Sequence, residues 1–400
     1  MAKDSLYRDR NLQIIFGVTS MAVLGVSSIT PAFPLMLREL GISGAQVGLL
    51  ITSFTLPGVI LSPFLGVLAD RWGRKRILVP SLFLFAITGT ACTFIRDFNL
   101  LLVMRVLQGI GGAGLGSLNN TIIGDLYSGR QGAAAMGLNN SVLSIGVGVY
   151  PLIGGALALL GWYYPFALSI LAVPVGILVL TSLRSPEPRN SQNLKAYLSG
   201  AWGHLKNIRV IALFAAGILT FVLIYGAYLT SFTLLLGETF AASPFVIGLI
   251  MSSMSLSTAI VSWQLGRINR RLSLPTLIKL SFAIYALSLA LIPLMPSLWL
   301  VLIPTIIFGI GNGIGMPSIQ TSIAGLAPLD YRAAFMSLNA TMLRLGQTVG
   351  PPLMGLIYIY GGLDITFFIA AALALTVPTV AIVFSRKNQA KEGIKAAKPL

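Results

Sequence analysis

A chain of 400 residues that is 56% hydrophobic and only 10% charged, with a mean hydropathy of +0.87, cannot cover itself with a water-compatible surface. Soluble domains are about 25% charged, so the composition excludes them and leaves an all-α integral membrane protein, its apolar runs having the length of spanning helices rather than the alternation of barrel strands. The +16 charge needs no nucleic acid once topology is counted, and the single cysteine, Cys92, excludes an intrachain disulfide.

Residues 1–11 are polar and mixed in charge, and no small-residue cleavage pattern follows them, so the first apolar run reads as a span and not as a removed signal. A helix-length window then gives twelve spans, at 12–37, 45–68, 77–95, 99–123, 133–158, 163–183, 210–236, 245–265, 274–293, 298–323, 335–359 and 364–384. The one long break carries Pro186, Pro188, His204 and five basic residues. The expected organisation is therefore a cytoplasmic N-terminus (1–11), a six-helix half (12–183), a cytoplasmic linker (184–209), a second six-helix half (210–384) and a basic tail (385–400).

Lys and Arg concentrate in cytoplasmic loops. With the N-terminus inside, 22 of the 27 basic residues fall on its side and only Arg38 and Arg96 on the other. Both termini are expected in the cytoplasm of a multi-pass plasma-membrane protein. Arg105, Lys279 and Arg344 fall within spans; Lys279 is close enough to a helix end to snorkel.

The halves repeat. Residues 136–155 align without a gap on 336–355, with Met136, Leu138, Asn139, Leu143, Gly146, Val149, Pro151 and Gly155 recurring 200 positions later. The same offset pairs Gly66 with Gly266, Gly109 with Gly309 and Gly111 with Gly311. Parallel halves of six spans are one repeat scheme of secondary transporters, whose substrate site lies between the halves near mid-membrane.

These residues carry a family resemblance. The loop Gly66-Val-Leu-Ala-Asp70-Arg71-Trp-Gly73-Arg74-Lys75-Arg76 resembles the signature between spans 2 and 3 of the major facilitator superfamily. Arg105-Val-Leu-Gln108-Gly109 is similar to the fourth-span motif of its proton-coupled members. Gly137, Gly146, Pro151, Gly154 and Gly155 resemble its antiporter motif, with Tyr150 where that motif usually has glycine. Leu24-Gly25 and Pro31-Ala-Phe-Pro34 resemble the twelve-span drug:proton antiporter branch. The resemblance covers the whole chain and implies a secondary transporter, a small-molecule substrate, protons as coupling ion and no cofactor; the chain is expected to work as a monomer in the lipid bilayer.

The site residues follow from both readings. Gly66, Asp70, Arg71, Gly73, Arg74, Lys75 and Asp125 are the expected inner gate, in which an Arg74–Asp125 pair would hold the inside face shut while the transporter opens outward. Arg105, Gln108, Asn119, Asn120, Asn139, Tyr225, Tyr228, Gln320, Asn339, Arg344 and Gln347 are the expected coupling or cavity residues. Gly146, Pro151, Gly154, Gly155, Gly346, Pro351 and Gly355 are expected to pack helices. None of the eleven acidic residues falls mid-span, so a cavity with arginines and neutral polar groups suits an anionic or neutral amphiphile better than a cation. Arg344 stands where the first half has Ser144, so the shared architecture did not require it. An uptake or facilitative carrier on the same fold is the competing reading, against which the span-5 motif argues. A membrane enzyme or sensor lacks any catalytic or metal-ligating constellation here.

Overall fold

The computed structural model describes residues 6, 8–184, 207–327 and 332–396, without the side chains of Pro63, Val67, Asp70, Ser117, Arg130, 332–334 and 380–396. Most of the expected linker (185–206), the last four residues of the tail with the side chains of the rest, and the contacts of Asp70 therefore lie outside what is described. Within them the chain is all-helical. Ten helices are long and apolar enough to cross a membrane. One of these, Phe335–Thr379, contains two helices separated by Gly362, whose φ of 74° no other residue type adopts readily. A further helix, Arg74–Ala91, opens on Arg74, Lys75 and Arg76, charges that mask its apolar body. Counting both restores twelve spanning helices, numbered here α1 (Arg10–Leu40), α2 (Leu49–Trp72), α3 (Arg74–Ala91), α4 (Phe98–Leu126), α5 (Gly129–Ala158), α6 (Tyr164–Ser182), α7 (Ile208–Glu238), α8 (Pro244–Ile268), α9 (Leu274–Leu294), α10 (Trp299–Leu326), and α11 and α12 on either side of Gly362.

Polar caps and glycines set the boundaries. Asp9 accepts from the Asn11 amide at 2.8 Å and Asp97 from the Leu100 amide at 2.7 Å, each satisfying a first-turn donor. Ser43 and Gln46 form a reciprocal capping box ahead of α2. Gly41 ends α1 and Gly73 breaks α2 from α3, both at positive φ. Two helices depart from regular winding. α1 tightens into a 3-10 turn over Thr30–Ala32, where Pro31 removes a backbone donor. α7 winds as a π-helix over Leu223–Phe232, and Thr230 and Ser231 hydroxyls donate to the carbonyls five residues back, of Tyr225 and Gly226.

Each half has its own apolar core, one running through α1–α6 and reaching Leu234 of α7, the other through α7–α12. Two separate cores make two bodies with an interface between them. The near face is taken as the side of Arg10 and the α2–α3 loop; the far face is the opposite side.

Candidate functional site between the halves

On the far face α2 packs against α11 and α8 against α5. Small residues permit this, because only a missing side chain lets backbones approach so closely. A Cβ on Gly48 would lie 3.0 Å from Pro351 Cβ, and one on Gly248 would lie 2.8 Å from the Pro151 carbonyl carbon. A Cβ on Gly155 would lie 3.1 Å from Phe245 Cα, and one on Gly355 would lie 3.1 Å from Ala45 Cα. One turn deeper, Thr52 Oγ1 donates to the Thr348 carbonyl at 3.0 Å, and Ser252 Oγ donates to the Gly148 carbonyl at 2.6 Å. Every partner has its counterpart 200 positions away, so the far-face seal is two-fold symmetric. Arg38 adds an asymmetric latch, donating across the halves to the Gly237 carbonyl at 3.3 Å.

The near face is open. Gly66 lies 18 residues after Gly48, five turns along the same face of α2. A Cβ there would meet no described atom within 4 Å, and the same holds at Gly266, five turns after Gly248. Among the described residues neither pair makes at its near end the close contact it makes on the far face, and Asn120, Asn140, Ser144 and Gln320 are exposed, so a cleft opens between the halves on that side.

At the apex of the cleft the symmetry fails. Thr348 Oγ1 donates to Thr55 Oγ1 at 2.9 Å, and one turn below it Arg344 extends from α11 into the other half. Its side chain is half-buried. Its guanidinium occupies the space in which Cβ atoms would stand on Gly58 of α2 and Gly116 of α4: Cζ would lie 3.2 Å from the first and 3.4 Å from the second. Half-buried Tyr225, stacked on Phe221 at 5.6 Å, lies beside it. Asn120, one turn below Gly116 on the same face of α4, is exposed, as is Gln320; Gln347 is half-buried.

The other expected coupling or cavity residues are buried inside the halves, which corrects the expectation that they line the cleft. Arg105 is fully buried, donates to the Leu50 carbonyl at 3.1 Å and to Gln108 Oε1 at 2.6 Å, and stacks 4.4 Å over Phe54. Gln108 passes the network to Ser169 at 3.0 Å. Thr19 links Asn119 and Asn139 within the first half. Asn339 is as buried as Asn139, but its Oδ1 finds no partner, because the counterpart of Thr19 is Leu219. Tyr228 sits in an aromatic stack between Phe232 and Phe308, at 4.9 and 5.0 Å. Arg105, Gln108, Asn119 and Asn139 thus make their described hydrogen bonds to neighbours of the same half and not across the cleft.

Tyr150, where the motif resemblance expects glycine, reaches α1 and shares a hydrogen bond with Ser20. Gly154 meets Ser28 of α1 so closely that any Cβ would overlap its carbonyl. Gly346 packs against the Ile218 carbonyl in the second half. In the signature loop Arg71 is exposed, and Lys75 is half-buried in a cavity shared with Arg10 and Arg184. Arg74 Nε donates to Asp125 Oδ2 at 3.0 Å. That pair exists on the open face and joins α3 to α4 of one half. It therefore organises the half and does not by itself bar the cleft, as the sequence reading expected it to.

Twelve helices in two parallel halves, a symmetric seal on one face and a cleft on the other form the frame of an alternating-access carrier. The sequence model of the Major Facilitator Superfamily matches residues 15–237 and 216–400. This chain belongs to that superfamily. It is 25% identical over 357 residues to the quinolone resistance protein NorA of Staphylococcus aureus (strain MRSA252), a match covering 88% of this chain and 90% of NorA. It is also 25% identical over 345 residues to multidrug resistance protein 2 of Bacillus subtilis (strain 168), covering 84% of this chain and 86% of the relative. Among solved structures, a bacterial homolog of the human lysosomal transporter Spinster, in an inward-facing and occupied conformation, superposes with a TM-score of 0.81 at 17% identity, covering 95% of this chain and 97% of that one. The nucleoside transporter NupG gives 0.77 at 16% identity, over 94% and 98%. The chain is a multi-pass plasma-membrane transporter of small molecules and not an enzyme.

Proposed function

We propose that this superfamily member is a proton-coupled exporter that moves an anionic or neutral amphiphile by alternating access. The observation that carries the substrate class is Arg344, a cation at a level of the inter-half contact where the symmetry breaks, in a chain with no acidic residue mid-helix. A guanidinium offers a planar fork of donors that a carboxylate, sulfonate or phosphate fills bidentately. The names of the two resistance relatives support outward transport, and the antiporter-like glycines of α5 support exchange against protons. The distribution of Lys and Arg supports a cytoplasmic near face, which makes the present state inward-facing. Gly66, Asp70, Arg71, Gly73, Arg74, Lys75 and Asp125 then form the inner gate, which closes when α2 and α8 approach α11 and α5. The protein acts as a monomer, without cofactor.

The test is flux in proteoliposomes under an imposed pH gradient, with anilinonaphthalene sulfonate, its neutral analogue phenylnaphthylamine and cationic ethidium. Gradient-driven movement of the first two, with the sulfonate lost in Arg344→Ala and in Arg344→Lys, is the expected result. Preference for ethidium, or sulfonate flux indifferent to residue 344, removes the anion assignment; flux indifferent to the pH gradient removes proton coupling.

A further inference from the structure

Some glycines at helix crossings in this protein face backbone, as Gly109 faces the Phe54 carbonyl, Gly226 the Gly350 carbonyl and Gly346 the Ile218 carbonyl; others face a side chain of their own half, as Gly112 faces Phe54 and Gly114 faces Ser81. Gly58 and Gly116 both face the end of one charged side chain. The three described atoms nearest a Cβ on Gly58 all belong to Arg344, and the only two described atoms within 4 Å of a Cβ on Gly116 are Arg344 Nη2 and Cζ. Neither glycine is needed for two helices to approach. Each leaves a vacancy that a single side chain fills, and that side chain comes from the other half of the molecule.

The internal repeat supplies an independent control. The counterparts of Arg344, Gly58 and Gly116 at the 200-residue offset are Ser144, Thr258 and Met316. Toward the far face most rungs match across the two-fold: Gly48 with Gly248, Pro151 with Pro351, Gly155 with Gly355, and a hydroxyl at 52 with one at 252, while the adjacent Thr348–Thr55 contact has Gly148 and Ser255 as counterparts. Only at this level do all three members change together. Where the long cation is replaced by a serine, both glycines are replaced by residues with side chains, and Thr258 donates at 3.0 Å to the Gly309 carbonyl within its own half. A vacancy present on one side of the two-fold and filled on the other, in step with the arginine, is matched to the arginine.

We propose that Gly58 and Gly116 are positioning residues: together they form a notch in the first half that seats the two terminal nitrogens of Arg344 at the apex of the cleft. Resting on the anion reading above, the notch fixes where the charged end of the substrate is held. With Nη1 lodged over Gly58 and Nη2 over Gly116, the fork keeps one orientation, and an acid group entering from the near face meets it at a fixed place. A methyl group at either position displaces one nitrogen and tilts the fork. Lysine, with a single ammonium, has no second nitrogen to seat.

The experiment measures transport kinetics and thermal stability for Gly116→Ala and Gly58→Ala, each in the wild-type, Arg344→Lys and Arg344→Ala backgrounds. In the wild-type background either alanine is expected to raise the KM for anilinonaphthalene sulfonate by roughly tenfold, the value of one charge-assisted hydrogen bond, with kcat little changed. The KM for phenylnaphthylamine should stay near that of the parent. With alanine or lysine at 344 the second substitution should cost nothing further, in KM or in melting temperature. Equal losses in all three backgrounds would identify the glycines as ordinary helix-packing positions and overturn the notch. If Arg344→Ala transports the sulfonate normally while the stability cost of Gly116→Ala still vanishes in that background, the seat stands and the anion reading alone falls.

Discussion

The far-face seal makes a graded prediction that symmetry alone would not. Gly48 and Gly248 are counterparts, yet their surroundings differ. A Cβ on Gly248 would press on backbone of α5, 2.8 Å from the Pro151 carbonyl carbon and 3.2 Å from Leu152 Cα. Backbone cannot rotate away, and ordinary contact begins near 3.4 Å, so α8 must retreat by roughly half an ångström or more to accept Gly248→Ala. A Cβ on Gly48 would meet its neighbours at longer range, 3.0 Å from Pro351 Cβ and 3.3 Å from Thr230 Cγ2, so a smaller retreat of α2 accommodates it. Overpacking of this kind costs about 1–3 kcal/mol, and it falls only on the state in which the seal is closed. Gly248→Ala should therefore shift the equilibrium toward the far-face-open state by about tenfold, and Gly48→Ala by less, since ~1.4 kcal/mol is a factor of ten. Gly66→Ala, which meets no described atom here, should not shift it that way at all. Spin labels at Glu39→Cys and Thr239→Cys, exposed ends of α1 and α7 on that face, report the separation, with buried Cys92 left in place. An unchanged distance distribution in Gly248→Ala, or equal shifts in Gly248→Ala and Gly66→Ala, would refute the reasoning.

Two further outcomes follow from the packing inside the halves. Asn139→Leu should lower thermal stability by about 1–3 kcal/mol by stripping the Thr19 hydroxyl, which also accepts from Asn119, of its buried acceptor, whereas Asn339→Leu, which removes an amide oxygen without a partner, should be near neutral; parallel melting curves in detergent check the difference. Arg74→Ala should leave the far-face label distances unchanged while slowing flux, because the Arg74–Asp125 pair joins helices of one half; a change in those distances would mean that the pair spans the halves after all.

The sequence was most legible where the bilayer dictates it. All twelve spans were readable because each must be an apolar helix about 20 residues long, and the loops because Gly41, Gly73 and Gly362 take up positive φ at their boundaries. The repeat was readable too, and its 200-residue offset already pairs Gly48 with Gly248 and position 52 with 252, the rungs of the seal. What the chain could not disclose is which face of a helix turns inward to its own half and which turns to the cleft. Hydropathy along α4 treats Arg105, Asn119 and Asn120 alike as polar residues in an apolar run. Only packing separates Arg105, satisfied by Leu50 and Gln108 within the half, from Asn120, which is exposed one turn below the notch. The π-helical stretch of α7 was equally hidden, since its i−5 bonds are made by hydroxyls whose sequence also suits an ordinary helix.

The position of the broken symmetry bears on how one site can serve both faces. Closing the near face requires the lower ends of α2 and α8, around Gly66 and Gly266, to move toward α11 and α5, while the upper ends around Gly48 and Gly248 move away. For rigid halves this is a rocking motion, and the levels that move least lie between the two ends. Gly58 lies ten residues after Gly48 and eight before Gly66, roughly the midpoint of the contact face of α2. Arg344 seated against Gly58 is thus close to the pivot, where a small displacement can preserve a charged contact that a group at either rim would lose. An arginine at a rim would favour one state by the full strength of its contacts and trap the carrier there. At the pivot it biases neither, so its binding energy is available to substrate from whichever side the cleft is open.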